Sequence, residues 1–478
     1  MKKKKILLWV LIPLISALLI AGIVIGTVMS CAPKSDGTNT PVEPGPEDPP
    51  VVDPPVVDPP HVHKWVWTYT PSEHYQYCTD DFETRNRGPH EYSNNEDNIC
   101  NVCEYERKMP TKQDKIEVEF DEDGNAKIGG LKDSTVTDLV ISGTVTDPSG
   151  KEVDVVEISE GAFQANNGLK SVTVLEGIKI IGKNAFLNCS ELESVWLPKT
   201  VELIDPEAFR NCKSLKTIII DIENPHYMGV YNCIIRIADK CLIIGCNGSE
   251  IPTRSDSSGY IVTSIGDGAF YGSGIAEIVI PSNITKIGAH AFQNCTSLAK
   301  FTCLDGVTQI PDNTFKDCTA LNTLILSDGI TEIGANAFDG CTSLENITLP
   351  TDLAIIREYA FRGCSSLENV TLNEGLVTIA GSAFRSCTSL ESITLPSTIR
   401  GIGTGAFAGC THLTSIIYAG TEDEWQENVR TASGWKPDGV EVTFTQPDEE
   451  NPDIGDSGNT DSGNGDDNGG SENSGTDN

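Results

Sequence analysis

Cys100 and Cys103 stand two residues apart, a spacing that lets two thiolates grip one tetrahedral ion as half of a zinc ribbon. Upstream, Cys78 and His90 would complete a Cys3His set, and His74 could replace either. Four protein ligands close such a site, so the zinc would be structural and not catalytic. A disulfide through Cys78 or Cys100 is the other use open to these thiols. Eight further cysteines keep a rhythm: Cys189, Cys212, Cys295, Cys318, Cys341, Cys364, Cys387 and Cys410 each follow a phenylalanine by three residues. In stacked coils, equivalent side chains run parallel about 4.8 Å apart, whereas a disulfide prefers Cβ atoms about 3.8 Å apart on converging vectors. The ladder is therefore expected to consist of small buried thiols. Cys233, Cys241 and Cys246 lie off it, and a disulfide between two of them stays open.

The elements that carry these cysteines repeat. A phenylalanine after a small residue recurs at Phe163, Phe186, Phe209, Phe270, Phe292, Phe315, Phe338, Phe361, Phe384 and Phe407, spaced by 23 residues apart from one step of 22 and one of 61. A fixed period in this range predicts a solenoid, in which each unit buries its apolar face only against its neighbours. In one copy Ile393, Leu395, Ile399, Ile402, Ala406 and Phe407 would point inward. Alternate strand residues would face outward as a surface rich in Thr, Ser and Asn. Trp196 and Ile219 make an apolar spot on it, flanked by Thr173 and Thr217, and these four are the candidate ligand-binding residues. The bland alternative is that Thr, Ile and Trp simply suit strands. The 61-residue step holds an insertion, about 221–260, that reads as a hairpin around Ala238 and Asp239.

The rest of the chain divides by composition. Residues 1–31 carry Lys2 to Lys5 and an apolar run from Ile6 to Val28, an export signal. The closing VMSC resembles a bacterial lipobox, which implies lipidation at Cys31; an uncleaved membrane anchor is the alternative. Residues 32–60 are a proline-rich spacer. Residues 61–110 hold the His/Cys module, which looks like small modules found in surface proteins of Gram-positive bacteria. An N-terminal cap is expected at 111–160, the solenoid at 161–418 and a C-terminal cap at 419–446, where Thr421 and Glu424 form a capping box and Trp425 and Trp435 can plug the open end. Residues 447–478 have ten acidic and no basic residues and cannot build a core. The net charge of −35 argues against binding nucleic acid through its phosphates.

The repeat LxxIxLPxxxxxIGxxAFxxCxx, running from about Val155 to Tyr418, resembles the BspA-like leucine-rich repeats of bacterial surface proteins. The longer GVYN…CLIIG unit and the closing IIYAGTEDEWQ fit that resemblance too. It implies a mainly β solenoid, a leucine-rich repeat horseshoe or rod of about ten 23-residue repeats with one long insertion and two caps, beside the small zinc-ribbon-like module. It also implies exposure at the cell surface and, by analogy with some members, adhesin-like binding of an extracellular protein or glycan. The alternative is a structural envelope protein that binds wall polymer or itself. The repeat brings no catalytic residues, and the chain has no GxSxG, HExxH, P-loop or dinucleotide fingerprint. The expectation is a membrane-anchored binding protein on the outer face of a bacterial cell, not an enzyme, with no cofactor beyond structural zinc.

Overall fold

A computed structural model describes residues 109–122, 124–253 and 262–445, together with the backbone of Trp65–Tyr69, Glu73–Cys78 and Thr84–Pro89. All of them belong to the unit that begins at Val62. The three early strands form an antiparallel sheet in which Trp65 pairs with Cys78, and Glu73 with Pro89.

Each coil of the solenoid has three sides, and the sequence of the repeat specifies each. One side is a strand of three or four residues, such as Ser194–Leu197. The second is a two-residue strand, such as Leu203–Ile204. The third is a tight turn that carries the phenylalanine. That turn needs left-handed backbone two residues before and two after the ring: φ is 57° at Asn184 and 62° at Asn188 around Phe186, and 65° at Gly405 and 77° at Gly409 around Phe407. Only Gly, and to a lesser degree Asn and Asp, adopt this conformation at low cost, which is why those types recur there.

The coils stack in parallel register. Asp138–Ile141, Ser171–Val174, Ser194–Leu197 and Thr217–Ile220 form one continuous sheet. On the second side, six two-residue strands run unbroken from Gln309–Ile310 to Arg430–Thr431. On the third, the phenylalanine rings stack face to face with centroids 5.0–5.5 Å apart. The cysteine ladder lies beside them. Every rhythmic cysteine is free and buried, and its thiol donates to the phenylalanine carbonyl one coil back, as Cys341 does to Phe315 at 3.2 Å. Burial pushes the Cys189 and Cys295 thiols up to about 12.

The insertion is built into the stack. Tyr227–Val230, Cys233–Arg236 and Cys241–Gly245 make an antiparallel sheet, one strand more than the expected hairpin, and its last strand pairs in parallel with Ser264–Ile265. Its side chains alternate between two cores: Cys233, Ile235 and Leu242 pack toward the C-terminal coils, Ile234, Cys241 and Ile243 toward the N-terminal ones. The disulfide left open for these cysteines is absent, and all three thiols are free. Cys233 pairs across from Gly245, so Cys246 points to the opposite face, and Cys241 sits opposite Arg236 further along the strand. On the turn side the stack bridges the insertion through a side-chain ladder, Asn211 donating to Asn188 and Asn294 to Asn211, both at 2.8 Å. Gly272 makes room for it, since a Cβ there would lie 1.9 Å from the Asn211 oxygen.

Both ends of the core are covered. Ile116–Phe120 and Ala126–Leu131 form a hairpin whose second strand pairs with Glu152–Ile158. At the other end, helix Glu422–Asn428 opens with the Thr421–Glu424 capping box. Trp435 packs edge-on against Phe407, 6.1 Å between centroids, and Trp425 against Tyr418 at 5.1 Å. The Phe407 N–H donates to the Trp435 carbonyl, the bond that Phe315, Phe338, Phe361 and Phe384 make to an alanine of the next coil.

Candidate strand-face binding surface

The longer strands of successive coils present their outward residues in rows. Cross-strand register places Thr173, Trp196 and Ile219 side by side, and pairs Thr217 with Ser194 in the adjoining row. Three of the four sequence candidates thus form one line, and Thr217 lies beside it. Ile219 is 43% exposed, Trp196 and Thr217 are partly exposed, and Thr173 is buried. The Trp196 Nε1 is shielded from solvent and has no hydrogen-bond partner, so the indole is held by packing alone. Glu176 follows the Ser171–Val174 strand, and burial together with the nearby Asp221 carboxylate raises its pKa, against the pull of Lys199. The outward row also exposes Val279 (53%) and Ile325 (51%), neither of them among the sequence candidates.

The strand face is continuous before the insertion and interrupted at two steps after it. In closed steps the first strand residue donates to the coil before it: Ser194 to Lys170, Thr217 to Glu193, Thr323 to Ala299, Asn369 to Glu345. Asn346 and Ser392 make no such bond. Thr323–Ile325 is not paired with Asn346–Thr348, nor Asn369–Thr371 with Ser392–Leu395, and the sheet is interrupted at both places. A cleft lies at each break. The first, of about 490 Å³, is lined by Leu324, Leu326, Asn346 and Thr348 among others; the second, of about 360 Å³, by Glu368, Asn369, Glu391, Ser392 and His412. Leu324, Leu326, Val370 and Leu372 precede the breaks and are only partly buried. Their counterparts in neighbouring coils, Phe301, Ile347, Leu349, Ile393 and Leu395, are no more than 4% exposed.

Carboxylates surround the two clefts. Glu345, Glu368 and Glu391 occupy the same position in consecutive coils, just before their strands, and all three are exposed. None of them forms an ion pair with a Lys or Arg among the described residues. Asp328, Asp352 and Glu374 lie exposed beyond the other end of the strands. Period and composition give no hint of these breaks, because the coils on either side of each have the ordinary length and the ordinary strand residues.

The zinc candidates fall elsewhere. Cys78 ends the Glu73–Cys78 strand, but His90, Cys100 and Cys103 lie outside the described residues, as does Cys31. Among the described residues no cluster of three His, Cys, Asp or Glu side chains could hold a metal ion.

Comparison with known proteins bears on the repeat. The BspA type leucine rich repeat region matches in six copies, over residues 151–235, 263–353 and 331–429, more than half of the chain. A search of curated proteins finds no match. Among solved structures the chain is similar to a leucine rich cell surface protein from Faecalibacterium prausnitzii, with 22% identity over 68% of this chain and 98% of that one and a TM-score of 0.40. It is similar also to a leucine-rich repeat protein from Bacteroides ovatus, with 22% identity, 71% and 100% coverage and a TM-score of 0.34. A third is the pneumococcal vaccine antigen PcpA, with 16% identity, 71% and 88% coverage and a TM-score of 0.43. By its repeats, the chain belongs to the BspA-type leucine-rich repeat family.

Proposed function

We propose that this protein is a recognition protein of the bacterial cell surface, anchored through residues 1–31, whose strand face binds an extracellular protein or glycan in the manner of an adhesin. The observation that carries the proposal is the outward face of the longer strands. It is a broad surface of Thr, Ser and Asn with large apolar side chains at Trp196, Ile219, Val279 and Ile325, three of them more than two-fifths exposed. Side chains of this kind, fixed on a rigid lattice of backbone bonds, lose little entropy on binding and suit contact with a partner better than chemistry. The four-residue patch Thr173, Trp196, Thr217 and Ile219 supplies an aromatic anchor with polar groups around it.

The test is a binding screen of residues 111–446 against immobilised extracellular-matrix proteins, mucins, glycans and cell-wall polymer. Saturable binding to a host protein or glycan, weakened at least fivefold by Trp196→Ala with thermal unfolding unchanged, supports the proposal. Binding only to wall polymer or to a second copy of the chain replaces it with a structural role in the envelope.

A further inference from the structure

The interruptions of the strand face have the properties of a strand-docking site. At each break one ladder of backbone hydrogen bonds is missing while the other two sides of the same coils stay joined. At the first, Phe315 and Phe338 still stack at 5.1 Å, and Gln309–Ile310, Glu332–Ile333 and Ile355–Ile356 still pair. The coils therefore part on the strand side alone. Unpaired backbone groups are left on both lips, as on any sheet edge. The missing ladder also uncovers Leu324 and Leu326 at the first break and Val370 and Leu372 at the second, apolar side chains that the repeat otherwise buries.

A guest for such a cleft must offer backbone donors and acceptors in an extended conformation, with apolar side chains on the face turned to the floor; an added β-strand meets both demands. Charge identifies the guest further. Glu345, Glu368 and Glu391 lie at one end of the cleft strands and Asp328, Asp352 and Glu374 at the other, with no lysine or arginine compensating the first three. An anionic strand would be repelled there, which disfavours the chain's own tail, 447–478, with its ten carboxylates and no basic residue.

We infer that the two clefts, between Thr323–Ile325 and Asn346–Thr348 and between Asn369–Thr371 and Ser392–Leu395, accept an extended, lysine- or arginine-bearing segment of a partner protein by β-strand addition. The inference rests on the proposal that the strand face is a recognition surface, and it names a different part of that face and the chemistry of what binds there.

The probe is a fluorescent ten-residue peptide of alternating lysine and valine, measured by anisotropy at low salt against the chain from residue 111 to 446. Saturable binding is expected. It should fall at least tenfold when alternate peptide nitrogens of the probe are methylated, because methylation removes the edge donors while keeping charge and side chains. It should fall by a similar factor in the triple variant Glu345→Gln, Glu368→Gln and Glu391→Gln, whose exposed substitutions leave the core untouched, and should be unchanged by Trp196→Ala. Absence of binding, or binding that tolerates backbone methylation, overturns the inference: the first leaves no strand site, the second only an electrostatic one. A ligand from the screen that depends on Trp196 and ignores the triple variant would sink the cleft inference and leave the strand-face proposal standing. The converse result would sink the Trp196 patch instead.

Discussion

The coils before the insertion and those after Phe315 are written in the same repeat, yet they differ on one side only. In the first group the strand sheet runs without a break from Asp138–Ile141 to Thr217–Ile220. In the second it is interrupted twice, although the short-strand column and the phenylalanine stack pass both interruptions intact. The comparison separates what holds the solenoid from what it presents. Rings, thiols and short strands keep adjacent coils in register on two sides. The third side can open without unstacking the molecule, and that is where a partner can be accommodated.

At the first break, side-chain pairs join the coils on the two sides that stay closed. Across that coil step Arg357 bonds Glu332 at 2.6 Å on the short-strand side. On the turn side Arg362 clamps Asp339, a carboxylate only 5% exposed, through its Nε at 2.8 Å and a second guanidinium nitrogen. The same guanidinium lies 4.9 Å from the centre of the Tyr359 ring. These cross-coil pairs act opposite the gap.

Substitutions in the two kinds of side should therefore differ in cost. Phe338→Ala, in the continuous ring stack, should lose about 3–5 kcal/mol in urea unfolding. Leu324→Ala, on the floor of a cleft, should lose only about 1 kcal/mol because its side chain is only partly buried. Equal losses would mean that the open side carries as much of the stability as the closed ones. Gly272→Ala should cost about 1–3 kcal/mol, for it adds a Cβ against Asn211 at a φ of 65° and breaks the turn-side ladder across the insertion. Removal of the clamp in Arg362→Ala leaves the buried Asp339 carboxylate with only Lys316, 3.7 Å away, and should cost about 1–3 kcal/mol.

The smallest expected effect belongs to the closed half. Burial raises the Glu176 pKa in the folded chain, so a proton there favours folding at low pH and the buried charge disfavours it once the pH passes the folded value. Glu176→Gln should then unfold at a slightly higher temperature than the parent at pH 7, and the difference should vanish at acid pH. A gain that persists at acid pH would show that packing, not the charge, is responsible.

Much of the architecture was legible in the sequence because a solenoid repeats its instructions. The phenylalanine period located the ring stack, the cysteine rhythm located a ladder of free buried thiols, and Thr421 with Glu424 announced the terminal helix. The insertion was read as two strands where there are three, since MGV in Tyr227–Val230 is too short and too glycine-marked to stand out as a strand. The row of Thr173, Trp196 and Ile219 followed from alternation along strands, but the burial of Thr173 depends on its neighbours. The clefts were invisible for the same reason that the fold was clear: a fixed period makes every coil look equivalent.

Native-state amide hydrogen exchange, read residue by residue, tests the difference between the sides most directly. Exchange reports whether each N–H is held in a bond. The account predicts fast exchange at Asn346 and Ser392, whose backbone donors face the clefts, and strong protection at Ser194, Thr217 and Thr323 in the equivalent position and at Phe338 and Phe361 on the turn side of the same coils. Equal protection at all the strand positions would mean that the sheet is continuous in solution and would contradict the account.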